Sequence, residues 1–291
     1  MDIDFLVWLG EHRTPILDRF FTLITYAGGE IFSVAVLCLI YWCLNKRLGV
    51  RMMLALFPGI LLGQGFKAAF RTPRPWVRSA RVIPLESALP EATGYSFPSV
   101  HTANSVSAYG TVAREKKKGY RFFWLIPVIV GFSRMYAGVH TPQDVIVSFA
   151  FSTVLVFLAE KFSRRLEVNP KLDTAVCLAA IALSALIAGF GRLCGDESMT
   201  TDCIKLSGAS IGAFAGWYLE RRSVDFSIPD RFLKRLARIV GGMALVIGVM
   251  KGFKAPFARA MGVNAGGFMR YLIVGFIATF IWPWVFTKAG F

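Results

Sequence analysis

A chain of 291 residues that is 55% hydrophobic, with a mean hydropathy of +0.54, is too apolar for a soluble domain of this length. Several segments run long enough without charge to cross a bilayer, which takes about 20 apolar residues. The net charge of +15 does not indicate a nucleic-acid partner, because the basic residues lie in short loops between apolar segments. Composition therefore predicts an all-α, polytopic helix bundle that is integral to a membrane.

The apolar segments follow one another from the start of the chain. The first 21 residues are short and amphipathic, which suits a helix lying in the membrane interface. About nine spanning helices are predicted after it, at 22–44, 50–67, 97–113, 120–138, 143–160, 173–192, 203–219, 236–253 and 269–287. Residues 22–160 would hold the first five of these spans, and residues 161–291 would add further spanning helices.

Two of these helices have unusual compositions. The third carries Ser99, His101 and Asn104, so we expect it in the bundle interior or beside a wet cavity rather than against lipid. The seventh has Gly208, Gly212 and Gly216 at four-residue spacing, which indicates close helix packing.

Loop charge predicts the orientation. The loops at 46–51, 114–121, 161–171 and 221–238, together with Lys288, are richer in Lys and Arg than the alternate set. Because the richer set should be cytoplasmic, the N-terminus and the loop at 68–96 are predicted outside and the C-terminus inside. If the source is bacterial, the membrane would be the cytoplasmic membrane.

Cysteines add little to this picture. Cys38, Cys43 and Cys177 lie in apolar runs and are interpreted as small buried hydrophobes. Cys194 and Cys203 bracket a polar stretch and could close a small disulfide loop if that loop faces an oxidising compartment.

Three short polar motifs reach the same predicted outer face. The first is Lys67, six residues, then Arg74-Pro75. The second is Pro98-Ser99-Val100-His101. The third is Ser133-Arg134, five residues, His140, three residues, then Asp144. The topology was drawn from hydropathy and loop charge alone, so the convergence of the motifs on one side supports a common site.

This set, K-x6-RP, PSxH and SR-x5-H-x3-D, resembles the signature of the type 2 phosphatidic acid phosphatase (PAP2) superfamily. That superfamily includes lipid phosphate phosphatases, glucose-6-phosphatase and vanadium haloperoxidases. The second motif departs from the usual PSGH, because Val100 stands where glycine is common. A valine there could narrow the pocket beside the phosphate or face away from it. The resemblance implies that residues 22–160 form the catalytic core. The overall predicted topology is similar to the glucose-6-phosphatase and sphingoid-phosphate phosphatase branches.

The motif residues suit phosphoryl transfer on physical grounds. Lys67, Arg74 and Arg134 supply fixed positive charge for the phosphate oxygens, and the planar fork of arginine matches them well. Ser99 offers a hydroxyl, and the helix that follows offers free backbone N–H groups near Ser99 and Val100. Neither a cofactor nor a metal is expected, because these cations take the place of a metal.

The two histidines of the motifs carry the proposed chemistry. His140 is predicted as the nucleophile, and Asp144, four residues on, would hold one of its ring nitrogens protonated if that stretch is helical. His101 would protonate the leaving alkoxide and then activate the water that hydrolyses phosphohistidine. Structural ion pairs, interfacial anchors or a simple helix start would explain each motif singly, but not all three together.

The substrate is left open by the motifs. A lipid or polyprenyl phosphate or diphosphate is favoured, because a pocket at the membrane surface can take a headgroup from water and a tail from lipid. The segment from Trp76 to Tyr95 could form a lid over such a pocket. A water-soluble sugar phosphate is an alternative, and so is a transporter that uses the basic pocket only to bind. The extra C-terminal helices could support the core, extend a lipid groove or form a homodimer contact.

Overall fold

The computed structural model describes residues 2–115, 118–194 and 196–291. Regular structure in those ranges is helical. The α-helices of the first half are α1 Asp2–Glu11, α2 Pro15–Tyr26, α3 Glu30–Leu39, α4 Lys46–Phe70, α5 Pro75–Arg78, α6 Val100–Ser105, α7 Thr111–Ala113 and α8 Leu125–Tyr136. Those of the second half are α9 Pro142–Val168, α10 Leu172–Leu193, α11 Glu197–Ser223, α12 Phe232–Gly252, α13 Lys254–Phe276 and α14 Trp282–Lys288.

Short turns of other helix types complete the fold. They are π-helical turns at Ile40–Leu44, Val106–Gly110 and Ile277–Ile281, and 3₁₀ turns at Glu86–Glu91 and Tyr120–Trp124. Because Val106–Gly110 joins α6 to α7, one helix runs from Val100 to Ala113 with a wide turn in its middle. Lys116 and Lys117, in the basic loops, and Gly195, between the two cysteines, lie outside the described residues.

Length and composition of the described helices confirm a polytopic helical membrane protein. Four segments are long and apolar enough to cross a membrane, at Lys46–Arg78, Pro142–Val168, Leu172–Leu193 and Lys254–Lys288. A fifth would be formed by the pair α2 and α3 with its π turn, which is bent by 53°. The number of nine spans stays a prediction.

The first predicted span, 22–44, is interrupted rather than continuous. Residues up to Tyr26 belong to α2, and Gly28 and Gly29 lie in the turn before α3. A Cβ atom on Gly28 would lie 2.6 Å from the backbone oxygen of His101. The turn therefore needs glycine because the backbone of α6 passes against it.

The chain divides into two compact units. Unit one holds the residues up to Val34 and Leu54–Glu160, and unit two holds Ala35–Met53 and Lys161–Phe291. The domain bounds that the sequence suggested stay a prediction.

The polar helix of unit one lies in the interior, as predicted. His101, Asn104 and Ser107 are buried. Ser105 donates to the backbone oxygen of Thr102 at 2.9 Å, so part of this polarity is satisfied within the helix.

The N-terminal helix α1 packs on the loop that follows α5. Leu6 and Leu9 are buried and form a cluster with Val82. Ion pairs join Arg78 to Asp2 and Arg81 to Asp4, both at 3.0 Å. The amphipathic start of the chain thus has an apolar face that covers protein, and its place in the membrane interface stays a prediction.

In unit two the glycine pattern of α11 brings α13 very close, as predicted. A Cβ atom on Gly208 would lie 2.4 Å from the backbone oxygen of Phe268, and one on Gly212 would lie 2.0 Å from that of Leu272. Any larger side chain at either position would push the two helices apart.

Several buried charged groups of unit two have polar partners within that unit. Glu220 is fully buried and accepts from Lys46 Nζ at 2.8 Å, from the Tyr41 hydroxyl at 3.0 Å and from the Phe226 N–H at 3.0 Å. A second pair joins Arg221 Nε to a carboxylate oxygen of buried Asp173 at 3.2 Å. Arg238 donates to the backbone oxygens of Trp42, Ser227 and Phe291.

The cysteines of the apolar runs are placed as expected. Cys38 and Cys43 are buried and Cys177 is half-buried. Cys194 directly follows α10, and Cys203 is buried in α11.

Candidate active site

The loop between α5 and α6 brings the parts of the site together in unit one. The N–H of Leu85 donates to the backbone oxygen of Ala137 at 2.9 Å. Ala88 and Ala92, on and just after the 3₁₀ turn, pack in one apolar cluster with Ala137 and Val139. Apolar burial thus fixes this loop beside the residues that lead to His140.

Arg74 is the central cation of the site. It is buried, and its guanidinium donates to the backbone oxygens of Thr93 at 2.6 Å, Gly94 at 3.0 Å and Val139 at 3.0 Å. Nη1 also lies 3.1 Å from Nε2 of His140. Arginine has no acceptor, so Nε2 of His140 accepts this hydrogen bond and carries a lone pair rather than a proton.

His140 lies in a bend between α8 and α9, not in a helix. Gly138 begins this bend with a φ of +71°, a conformation that favours glycine. The helical argument that linked His140 to Asp144 was therefore wrong, although the two side chains are close. Nδ1 of His140 lies 3.5 Å from Oδ2 of Asp144, longer than a normal hydrogen bond.

Asp144 is held by a helix cap instead. The N–H of Thr141 donates to Oδ2 of Asp144 at 2.8 Å, and the N–H of Asp144 lies 3.5 Å from the Thr141 hydroxyl. This reciprocal arrangement is a capping box at the start of α9, with Pro142 at the first helical position. The Ser96 hydroxyl donates to the same Oδ2 at 2.6 Å. Asp144 is thus buried and fixed with Oδ2 facing His140.

Arg134 is fully buried near the end of α8. Its Nη1 donates to the hydroxyl of Thr25 at 2.8 Å. Its Nε and Nη2 have no hydrogen-bond partner among the described residues. Buried donors normally have partners, and leaving one unpaired costs about 1–3 kcal/mol. Two such donors on one guanidinium suit an anion that binds in a bidentate manner.

Lys67 and Ser99 lie at the edges of the same site. Lys67 is buried, and its Nζ lies 3.4 Å from the Thr93 oxygen that Arg74 also contacts. Ser99 caps α6, because its hydroxyl accepts from the N–H of Thr102, and its own N–H donates to the backbone oxygen of Asp144 at 3.2 Å. The N–H of Ser99 is therefore tied to Asp144 of the third motif, whereas its hydroxyl accepts from Thr102 of its own helix.

Val100, the departure from the family pattern, points toward α4. Its Cγ2 atom lies 3.6 Å from the position that a Cβ atom on Gly63 would occupy. The valine thus fills space against a glycine of the neighbouring helix.

His101 has a partner that the sequence did not suggest. Its Nε2 lies 2.7 Å from Oε2 of Glu91, the last residue of the 3₁₀ turn. Neither Glu91 nor Ser96 belongs to a motif, and no spacing marks them. The signal that the sequence offers for Glu91 is its position, a carboxylate in the loop that precedes the PSxH motif.

Two residues of the site that lie outside the spanning helices, His140 and Glu91, have displaced pKa values. Burial, reinforced by the charges of Arg74 and Arg134, holds the pKa of His140 well below its usual value near 6.5, although Asp144 acts in the opposite direction. The hydrogen bond from His101 lowers the pKa of Glu91. His140 is therefore neutral and Glu91 ionised near pH 7.

The site's chemistry follows from these contacts. Direct contacts join Arg74, His140, Asp144 and Ser99. Lys67 contacts a backbone oxygen that Arg74 also contacts, and the positive charge of Arg134 acts on His140. A neutral imidazole beside buried cations can attack an anionic phosphorus centre. Among residues 2–115, 118–194 and 196–291, no group of three or more His, Cys, Asp and Glu side chains is placed to hold a metal.

Two family models match the chain. Residues 47–167 match the PAP2 superfamily, and residues 204–291 match the transmembrane extension of PAP2 superfamily phosphatases. Together they cover more than half of the chain. The first match contains all three motifs.

Curated relatives include three named phosphatases. Phosphatidylglycerophosphatase B of Bacillus subtilis is 28% identical over 53% of this chain and 79% of its own length. Sphingosine-1-phosphate phosphatase 1 of Rattus norvegicus is 26% identical over 91% of this chain and 71% of its own. Undecaprenyl-diphosphatase BcrC of Bacillus subtilis is 27% identical over 57% of this chain and 84% of its own. No solved structure matches the chain.

Proposed function

We propose, on the premise that the chain belongs to the PAP2 superfamily, that it is an integral membrane phosphatase of lipid or polyprenyl phosphates or diphosphates, acting through phosphohistidine. One observation carries the proposal. Arg134 presents two buried N–H groups for which the described part of the chain offers no partner, and its charge acts on His140, whose Nε2 lone pair faces Arg74. A phosphate group would satisfy those donors and stand in reach of that lone pair.

In the first step, the lone pair on Nε2 of His140 forms a bond to phosphorus. The bond between phosphorus and the leaving oxygen breaks, and that oxygen takes its electron pair. The protonated ring of His101 gives a proton to this oxygen. Arg74, which donates to Nε2 in the free protein, turns its N–H to a phosphate oxygen, and Asp144 stabilises the positive charge that develops on the ring of His140.

In the second step, a water molecule attacks the phosphorus of phosphohistidine. His101, now neutral, takes a proton from this water, and the bond between phosphorus and Nε2 breaks. Inorganic phosphate leaves, and both histidines return to their starting states. Negative charge on the phosphate oxygens is stabilised by Lys67, Arg74, Arg134, the hydroxyl of Ser99 and the N–H of Val100. These residues take the place of a metal.

The names of the three relatives support a lipid substrate. Each names a phosphatase of a phosphorylated lipid. The match to the rat sphingosine-1-phosphate phosphatase extends through the C-terminal half of this chain, so a sphingoid phosphate belongs beside polyprenyl diphosphates among the substrates to test. A site on the non-cytoplasmic face, with the N-terminus outside and the C-terminus inside, completes the proposal. It rests on loop charge.

The test is phosphate release by purified protein in detergent with EDTA. Wild type and His140→Ala are compared on phosphatidic acid, a polyprenyl diphosphate, a sphingoid phosphate and glucose 6-phosphate. We expect release by wild type alone, on the lipids. Preference for glucose 6-phosphate would replace the lipid by a sugar phosphate, and strong inhibition by EDTA would contradict the metal-free mechanism. Intact protein that binds phosphate esters without hydrolysing any of them would indicate a transporter.

A further inference from the structure

Glu91 makes a contact that the reaction scheme leaves unused. Its Oε2 accepts a hydrogen bond from Nε2 of His101 at 2.7 Å. Glu91 ends a 3₁₀ turn whose neighbours Ala88 and Ala92 are packed against Ala137 and Val139. The carboxylate is therefore directed toward His101 by an anchored segment and not by a free loop.

The surroundings of His101 make such a partner necessary. The ring is buried, and the positive charges of Arg134 on α8 and Lys67 on α4 act on it. Burial and both cations disfavour the imidazolium ion that a general acid must be. Among the described residues whose charges act on His101, Glu91 supplies the negative charge. The cations that bind phosphate thus act against the protonated acid that the reaction needs, and the carboxylate of Glu91 acts against the cations.

We propose that Glu91 is the positioning residue of the general acid: it fixes the proton on Nε2 of His101 and stabilises the imidazolium. This inference rests on the proposed function. It makes the site a pair of carboxylate–histidine dyads, with Asp144 beside the nucleophile and Glu91 beside the acid.

The proton accounting follows from the geometry. With the Nε2–H held by Glu91, Nδ1 is the nitrogen that gives its proton to the leaving oxygen. The neutral ring then keeps its Nε2–H toward Glu91, and Nδ1 takes a proton from the attacking water in the second step. Glu91 stays ionised throughout, so it acts through His101 and does not itself exchange a proton.

The experiment compares Glu91→Gln with Glu86→Gln, an exposed glutamate at the other end of the same 3₁₀ turn. Each is measured on an alkyl phosphate lipid and on 4-nitrophenyl phosphate, whose leaving group needs no proton. General acids contribute about 10²- to 10⁴-fold, so we expect Glu91→Gln to lose at least about 10-fold in kcat on the lipid. The loss on 4-nitrophenyl phosphate should be much smaller, and Glu86→Gln should match wild type on both.

The pH profile gives a second readout. Without the carboxylate, the ring of His101 loses its proton more easily, so the alkaline limb of kcat on the lipid should move to lower pH in Glu91→Gln. Glu91→Asp, which keeps the charge, should retain part of the activity. Its alkaline limb should lie closer to that of wild type than the limb of Glu91→Gln does. If Glu91→Gln fails to fold, as judged by its elution in detergent, Glu91→Asp carries the same two comparisons.

Three outcomes would overturn the inference. Equal losses on the two substrates would indicate a purely structural role. A lower KM with unchanged kcat would mean that the carboxylate only occupies the place of the phosphate in the free protein. Full activity with an unchanged pH profile would show that His101 needs no partner. Wild type that hydrolyses none of the substrates is a separate failure, that of the proposed function.

Discussion

One group of buried charges in each unit shows a contrast. In unit two, the carboxylate of Glu220 has three donors around it, and Asp173 is paired with Arg221. In unit one, two N–H donors of Arg134 have no partner among the described residues, and Arg74 donates to Nε2 of His140.

This difference separates a structural use of charge from a functional one. Breaking a buried pair costs stability because the remaining charge is left alone. Keeping donors unpaired costs stability already in the free protein, and a ligand recovers that cost. Unit two also has buried atoms without a partner among the described residues, such as Arg270 Nε, but all three histidines of the chain belong to unit one. Under the proposed function, cations with unpaired donors beside histidines mark unit one as the catalytic unit.

The largest expected effect comes from removing the nucleophile. His140→Ala should lower kcat by at least about 10⁴-fold, because no other group forms the covalent intermediate. The protein should still fold and bind substrate. Phosphate release in detergent measures the loss, and exposed His12→Ala is the control, expected to match wild type. Substantial turnover by His140→Ala would refute the phosphohistidine route.

The next effect tests the contrast directly with two arginines. Arg134→Met should lower kcat/KM by about 10²- to 10³-fold, as the loss of preorganised donors does elsewhere. Its melting temperature should stay the same or rise, because a buried charge with unpaired donors is removed. Arg221→Met should do the reverse and keep activity while melting earlier, since Asp173 loses its partner. If both variants melted earlier and both kept their activity, the distinction between the two arginines would fail.

Glu220→Gln should act on stability and not on chemistry. Removing the charge leaves Lys46 with one carboxylate partner, Asp225, instead of two. We expect the free energy of unfolding to fall by about 3 kcal/mol. A thermal melt in detergent gives the direction, and kcat per folded molecule should be unchanged. A large loss of kcat in folded protein would connect unit two to the reaction.

Ser96→Ala should have a smaller effect on rate. The hydroxyl holds Asp144 at 2.6 Å, and a hydrogen bond to a charged group is worth about 1.5–3 kcal/mol, so kcat should fall about 10-fold or somewhat more. Ser87→Ala, at an exposed hydroxyl bonded to Thr22, is the matched control and should leave kcat unchanged. An unchanged rate in Ser96→Ala would mean that Thr141 alone fixes Asp144.

The pH dependence should show the mildest effect. Because the pKa of His140 is held well below its usual value, the ring stays neutral until the pH falls well below that value. The acid limb of kcat/KM, which reports the free enzyme, should therefore lie well below the usual histidine value of 6.5. A rate profile between pH 4 and 8 measures it. An acid limb at pH 6.5 or above would show that the site does not suppress protonation of His140.

The motifs predicted which residues meet, but not how they are held. Arg74, His140 and Asp144 lie at or beside the ends of helices α5, α8 and α9, and helix ends are what hydropathy predicts. The reason given for the contact between His140 and Asp144 was wrong, because a capping box and a bend replace the expected helical turn. The partners Glu91 and Ser96 belong to a loop whose path is set by small apolar contacts, and such contacts leave no periodic pattern in a sequence.

The departure at Val100 shows a different limit. Its effect depends on what lies across from it, and the structure places it against Gly63, distant in the chain. A single sequence cannot pair a large residue with the small one that makes room for it.

The N-terminal helix has a practical consequence for anyone who handles this protein. Asp2 and Asp4 reach Arg78 and Arg81, and Leu6 and Leu9 cover Val82 in the loop that runs on to Glu91. An affinity tag fused before these residues would disturb the contacts that hold this loop in place. Concentrated salt during purification would screen its exposed ion pairs. Assays at low and high ionic strength should be compared before a weak preparation is judged inactive.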